Sequence, residues 1–95
     1  MMLLTKEIKK RFLDVGNQEH EENPLVIAKF FDPTGSWTWY ATEFNAENKL
    51  FFGMVHGFEK ELGYFSLEEL EEIKGRFGLG IERDMHFKEK RLSEI

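Results

Sequence analysis

The chain has 95 residues, 41% hydrophobic and 33% charged, with a formal net charge of -5. This length is enough for one small domain with a core, and this composition excludes disordered, collagen-like and membrane-spanning chains. The lack of cysteine excludes disulfides and thiolate metal sites, and the negative charge argues against a general nucleic-acid binder.

The first predicted elements are a short helix and a polar loop. Thr5 is a typical N-cap residue, so a helix is predicted from Lys6 to about Leu13. Gly16 follows at the position where a helix commonly ends. The polar stretch 17–24 predicts a surface loop that is free to be mobile.

Three consecutive strands are predicted in the middle of the chain. The segments Leu25–Phe31, Trp37–Phe44 and Leu50–Phe58 are rich in β-branched and aromatic residues. Short turns at 32–36 and 45–49 join them, which favours antiparallel pairing of neighbouring strands.

A second helix is predicted to begin at Ser66. The string Ser66-Leu67-Glu68-Glu69 matches a capping box, and Gly75 marks the end. One apolar face is predicted to hold Leu67, Leu70, Ile73 and Phe77. A last short strand is predicted from Asp84 to about Lys88. The order α-β-β-β-α-β predicts a single α+β domain over 1–95, an antiparallel sheet with helices packed on one face.

Several unusual strings occur in a fixed order along the chain. They are Leu3-Leu4-Thr5-Lys6-Glu7, Lys29-Phe30-Phe31, Trp37-Thr38-Trp39-Tyr40-Ala41-Thr42-Glu43-Phe44, Phe52-Gly53, the segment from Gly57 to Leu67, and Ile81-Glu82-Arg83-Asp84. Together they resemble the bacterial family known as domain of unknown function 2958, over essentially the whole chain. The resemblance implies no activity, cofactor or catalytic residue. It implies a context, since such proteins look like cargo of plasmids, integrative conjugative elements and phages.

The strongest charge feature is segment 59–72, which we call the acidic segment. It contains one basic residue, Lys60, and six glutamates: Glu59, Glu61, Glu68, Glu69, Glu71 and Glu72. Such a surface can dock on a basic surface of another protein, including one that binds nucleic acid. The alternative is a solvated helix face, with glutamates favoured near a helix N-terminus.

An aromatic strand provides a second candidate site. Trp37 and Trp39 alternate onto one face of their strand, and Tyr40 lies on the other. Exposed rings of this kind would bind a small ligand or stack the bases of a single-stranded nucleic acid. The alternative is that the tryptophans form the core beneath the helices. The strands supply little of the positive charge that nucleic-acid binding requires.

Candidates for metal binding lie near the C-terminal end of the chain. In a strand at 82–88, Glu82, Asp84 and His86 would alternate onto one face and could ligate a divalent ion. The alternative is the solvated side of a strand whose other side is in the core. No nucleophile occurs together with a base and an orienting group. The sequence therefore predicts a domain that is not an enzyme and has no cofactor, with a metal-dependent enzyme as an alternative.

The main functional hypothesis is a non-enzymatic protein-binding accessory protein of a plasmid, conjugative element or phage. Its expected partner has a basic surface and processes nucleic acid, as a host defence nuclease does, so the domain would be an inhibitor of the anti-CRISPR or anti-restriction type. A cytoplasmic location is expected, because the apolar start at 1–4 is too short for a secretory signal. Direct nucleic-acid binding and membrane association are not expected, and the oligomeric state, monomer or dimer, stays open.

Overall fold

The structure, a computed structural model, describes residues 2–95 apart from the side chain of Arg76. Helix α1 spans Lys6–Val15 and helix α2 spans Leu67–Glu72. The strands are β1 (Leu25–Val26), β2 (Ala28–Phe31), β3 (Thr38–Asn45), β4 (Leu50–His56), β5 (Lys60–Ser66), β6 (Glu82–Arg83) and β7 (Lys90–Arg91). The α+β class predicted from the sequence is confirmed.

The strands form a five-stranded antiparallel sheet and a separate two-stranded ribbon. The order in the larger sheet is β5-β4-β3-β2-β6, and β1 pairs with β7. The predicted run of three adjacent antiparallel strands is confirmed in β2, β3 and β4. The register between β3 and β4 shifts between Ala41 and Glu43, which marks a bulge.

Two parts of the sheet differ from the sequence-based prediction. The sequence pattern does not predict β5, because charged residues and Gly63 obscure its alternation, and its pairing with β4 defines it. The predicted strand at Asp84–Lys88 is wrong, because the chain turns after β6 and enters β7 only at Lys90. The His86 amide donates to the Asp84 carboxylate in this turn (2.9 Å).

Both helices begin where the sequence predicts. The Thr5 hydroxyl accepts from the amide of Ile8 (3.2 Å), and the Ser66 hydroxyl accepts from the amide of Glu69 (3.3 Å). Helix α2 is shorter than predicted, and Phe77 lies beyond it with φ of 61° and a 92% exposed side chain. Among the described residues, no helix has the length and apolar content needed to cross a membrane.

The core lies between the helices and one face of the sheet. Phe51 of β4 is fully buried, and its ring lies 5.9 Å from Phe12 of α1 and 5.2 Å from Phe30 of β2. Leu67 and Leu70 of α2 belong to the same buried cluster. The predicted packing of the helices on one face is therefore confirmed.

A buried glutamine attaches the polar loop 17–24 to the sheet. The Gln18 side chain donates to the carbonyls of Leu25 and Thr42 (both 2.8 Å) and accepts from the amide of Leu25 (2.7 Å). Three hydrogen bonds therefore connect the N-terminal end of the loop to β1 and β3.

The chain after β6 is tied to several earlier elements. Arg11 of α1 donates two hydrogen bonds to the Glu89 carboxylate (both 2.8 Å). The Asn23 side-chain amide donates a hydrogen bond to the Ser93 hydroxyl (2.8 Å). These contacts hold the C-terminal segment against α1 and the loop, and Leu92 at its end lines the groove that Leu62 and Tyr64 of β5 also line.

Replacing Gln18 with Glu is expected to lower the free energy of unfolding by about 2–3 kcal/mol. A carboxylate lacks the two N–H donors, so the carbonyls of Leu25 and Thr42 lose their partner and face a negative charge. Urea unfolding followed by circular dichroism measures the change. The exposed neighbour provides the control, since Glu19→Gln should leave stability within about 0.5 kcal/mol of the parent. Equal stability of the two variants would contradict the anchoring role.

A pair of facing glycines gives a second test of the fold. Gly53 and Gly63 are partners across β4 and β5. A Cβ at Gly53 would overlap the Tyr40 carbonyl, whereas a Cβ at Gly63 would meet nothing within 4 Å. We expect Gly53→Ala to lower the free energy of unfolding by about 2–3 kcal/mol, because the new methyl group would force β4 away from β3. Gly63→Ala should be neutral or slightly stabilising. Thermal unfolding of both variants measures this difference, and similar melting temperatures would contradict it.

Candidate functional site

The structure divides the acidic segment into two groups at the ends of β5. Glu59 lies in the turn before β5, and Glu61 is its second residue. The remaining glutamates belong to α2, which begins where β5 ends: Glu68, Glu69, Glu71 and Glu72. All six side chains are exposed. The predicted acidic surface therefore consists of two groups of glutamates, one at each end of β5, and only one of the groups is on a helix.

Few contacts within the chain neutralise these carboxylates. Glu68 lies 3.6 Å from the Lys49 ammonium, with both side chains more than half exposed. An exposed pair of this kind contributes little to stability. Within the described part of the chain, Glu68 is the single member of the six that has an ion pair. The carboxylates are therefore available to a partner.

The strand between the two groups is apolar and open. From Leu62 to Ser66 it contains no charged residue, and the side chains of Leu62 and Tyr64 are 56% and 75% exposed. Both point to the face opposite the core, because they alternate with buried Phe65. The Tyr64 ring packs edge-on against Phe52 of β4 (5.0 Å between centroids).

A groove runs beside β5 on this open face. Its volume is about 370 Å³, and loop 17–24 forms one wall while Phe52, Leu62 and Tyr64 form the other. The lining includes four carboxylates that the sequence analysis did not select: Glu19, Glu21, Glu22 and Glu43. The high proportion of glutamate in 17–24 could have indicated a second acidic surface. Only the folded structure shows that this loop lies next to β5. The groove therefore extends the negative surface around the strand.

Of the two interpretations of the aromatic strand, the core position is confirmed for Trp39, which is not part of an exposed surface. Trp39 is buried in the core, 7% exposed, and half-buried Trp37 packs against it and against Phe58 (6.0 and 5.4 Å between centroids). Tyr40 lies on the opposite face against His56 (5.0 Å). Burial, and then the nearby Lys60 ammonium, hold the pKa of His56 below its ordinary value. The three predicted rings therefore share no exposed surface.

The predicted metal ligands do not form a ligand set. The strand that would align Glu82, Asp84 and His86 ends at Arg83. The Asp84 carboxylate lies 3.6 Å from the Lys29 ammonium and accepts from the backbone amide of His86. Across the described residues, no group of three or more histidine or carboxylate side chains is arranged to hold a metal ion.

Tryptophan fluorescence should distinguish the two indoles. With Trp37→Phe, the remaining Trp39 is expected to emit at short wavelength and resist iodide quenching, because it is buried. With Trp39→Phe, the remaining Trp37 is half-buried and should be quenched more strongly. Circular dichroism confirms that each variant is folded. Strong quenching of Trp39 in a folded variant would contradict its place in the core.

The chain is similar to a known protein family over nearly its whole length. A family described as Protein of unknown function (DUF2958) matches residues 3–94, nearly the whole chain. No curated protein and no solved structure matches the chain. The match agrees with the resemblance carried by the strings from Leu3 to Asp84. The chain therefore belongs to the DUF2958 family.

Proposed function

We propose that this chain is a non-enzymatic binding domain whose partner is a protein with a basic surface. The observation that supports it is the placement of six exposed glutamates at both ends of β5, with an open apolar stretch between them. Complementary charge accelerates encounter and selects the partner, while apolar contact at the centre of an interface supplies most of the affinity. The acidic segment combines both features.

The resemblance to mobile-element cargo supports a more specific form of the proposal. The domain would be an accessory protein of a plasmid, conjugative element or phage and act in the cytoplasm of its host. Its partner would be a host defence nuclease of the CRISPR or restriction type, which the domain inhibits. Such a nuclease carries arginine and lysine side chains for phosphate oxygens, and carboxylates can occupy the same positions.

Removing the charge of α2 is expected to weaken partner binding by about tenfold, or 1.4 kcal/mol. The variant replaces Glu68, Glu69, Glu71 and Glu72 with Gln. All four side chains are exposed, so the fold should be retained. The tagged wild-type protein is first used to capture partners from a bacterial host, with proteins and nucleic acids both identified. Affinity is then measured with the purified partner.

Replacing the same four glutamates with Asp provides the matched control. This variant keeps the charge and shortens the side chains, so it should bind more tightly than the Gln variant. Binding of the wild type should also weaken as salt rises, because exposed charges are screened. Recovery of nucleic acid alone, or equal affinity of the wild type and the Gln variant, would refute the proposal.

A further inference from the structure

The outer side of β5 is a long open edge of the sheet. β5 pairs with β4 along all seven of its residues, with no shift in register. No other strand in the described chain pairs with it. At the opposite edge, β6 has only two residues. An open edge presents backbone N–H and C=O groups that another extended chain can pair with.

The centre of β5 lacks the features that protect such edges. Proteins commonly use prolines, bulges or charged side chains for this purpose, and Leu62–Ser66 contains none of them. Loop 17–24 and Leu92 lie beside Leu62 and Tyr64 across the groove on the face of the sheet, and neither pairs with β5 as a strand. Within the described chain, no strand therefore pairs with the middle of this edge.

Negative charge at both ends of the edge indicates what kind of segment fits it. Glu59 and Glu61 lie at one end of β5 with Lys60 between them, and α2 with its four glutamates begins at the other end. The five steps from Glu61 to Ser66 span about 17 Å at the usual rise of a strand. An extended segment with an apolar centre and basic residues at both ends matches this pattern.

The same charges disfavour a second copy of this chain. In an antiparallel self-pair centred on Gly63, the net negative end of one copy, with Glu59, Lys60 and Glu61, would approach the four α2 glutamates of the other. Net charges of the same sign brought together at an interface repel each other. A basic segment from a different protein has no such repulsion.

We infer that an extended segment of the partner adds to the outer edge of β5 as a further strand of the sheet. Backbone hydrogen bonds supply affinity, and its apolar side chains pack beside Leu62 and Tyr64. Its lysines or arginines pair with the glutamates at the two ends. This inference rests on the proposed function, because it specifies how the acidic segment holds a basic protein.

The test uses a synthetic peptide, Lys-Arg-Val-Thr-Val-Thr-Val-Arg-Lys, with the full-length domain. Two matched peptides accompany it: one is N-methylated at the three central residues, and the other has Glu in place of every Lys and Arg. Calorimetry measures affinity, and amide hydrogen exchange by NMR locates the contact. We expect the parent peptide to bind and to slow exchange in β5. The N-methylated peptide should bind at least tenfold more weakly, because it lacks backbone donors, and the acidic peptide should not bind.

Several results would overturn the inference. Equal affinity of the parent and N-methylated peptides would show recognition by charge without strand pairing. Absence of binding by the parent peptide at about 1 mM, a very weak affinity, would show that the edge does not accept a basic strand. Self-association that protects β5 in the domain alone would assign the edge to a second copy.

A variant of the edge separates this inference from the proposed function. Leu62→Lys with Tyr64→Lys places positive charge on an exposed stretch, so the fold should remain while peptide and partner binding fall at least tenfold. If the captured partner is lost by the α2 Gln variant but retained by the edge variant, the proposed function stands and strand addition is wrong. If neither variant loses the partner, both are wrong.

Discussion

Phe51 contacts a phenylalanine ring from each of four other elements, and this one-sided aromatic cluster organises the domain. The rings belong to α1, β2, β3 and β5: Phe12, Phe30, Phe44 and Phe65. Their centroids lie 4.7–5.9 Å from that of Phe51. Because all these rings lie on one face of the sheet, both helices pack on that face. The other face is left to the loop and the C-terminal segment.

The remaining contacts determine how much of that second face stays open. Gln18 fixes the loop near β1 and β3, and Arg11 fixes the C-terminal segment through Glu89. Phe87 of that segment approaches Tyr40 of β3 (6.4 Å between centroids). Phe87 therefore covers part of β3, whereas the loop and Leu92 line the groove beside β5. Leu62 and Tyr64 of β5 stay exposed beside the groove, and the acidic segment surrounds them.

Local signals predicted the elements whose boundaries depend on nearby residues. Thr5 caps α1 and Gly16 ends it with φ of 72°, and Ser66 caps α2. Signals failed where distant contacts decide the structure. β5 exists because it pairs with β4, and Trp39 is buried because the helices cover its face of the sheet and not that of Tyr40. Both faces of β3 carry aromatic residues, so periodicity alone could not select the buried one.

The sequence by itself determined the class of the domain, its family, its helix caps and the negative charge of 59–72. Each depends on composition, on motifs or on neighbouring residues. The tertiary structure alone decided that these negative charges flank an open strand. It also decided that Glu19, Glu21 and Glu22 lie across a groove from Leu62 and Tyr64 of that strand. Strand order and the packing of a loop are set by contacts between residues far apart in the chain. The local pattern of 59–72 carries no information about which edge of β5 pairs with a neighbouring strand and which edge does not.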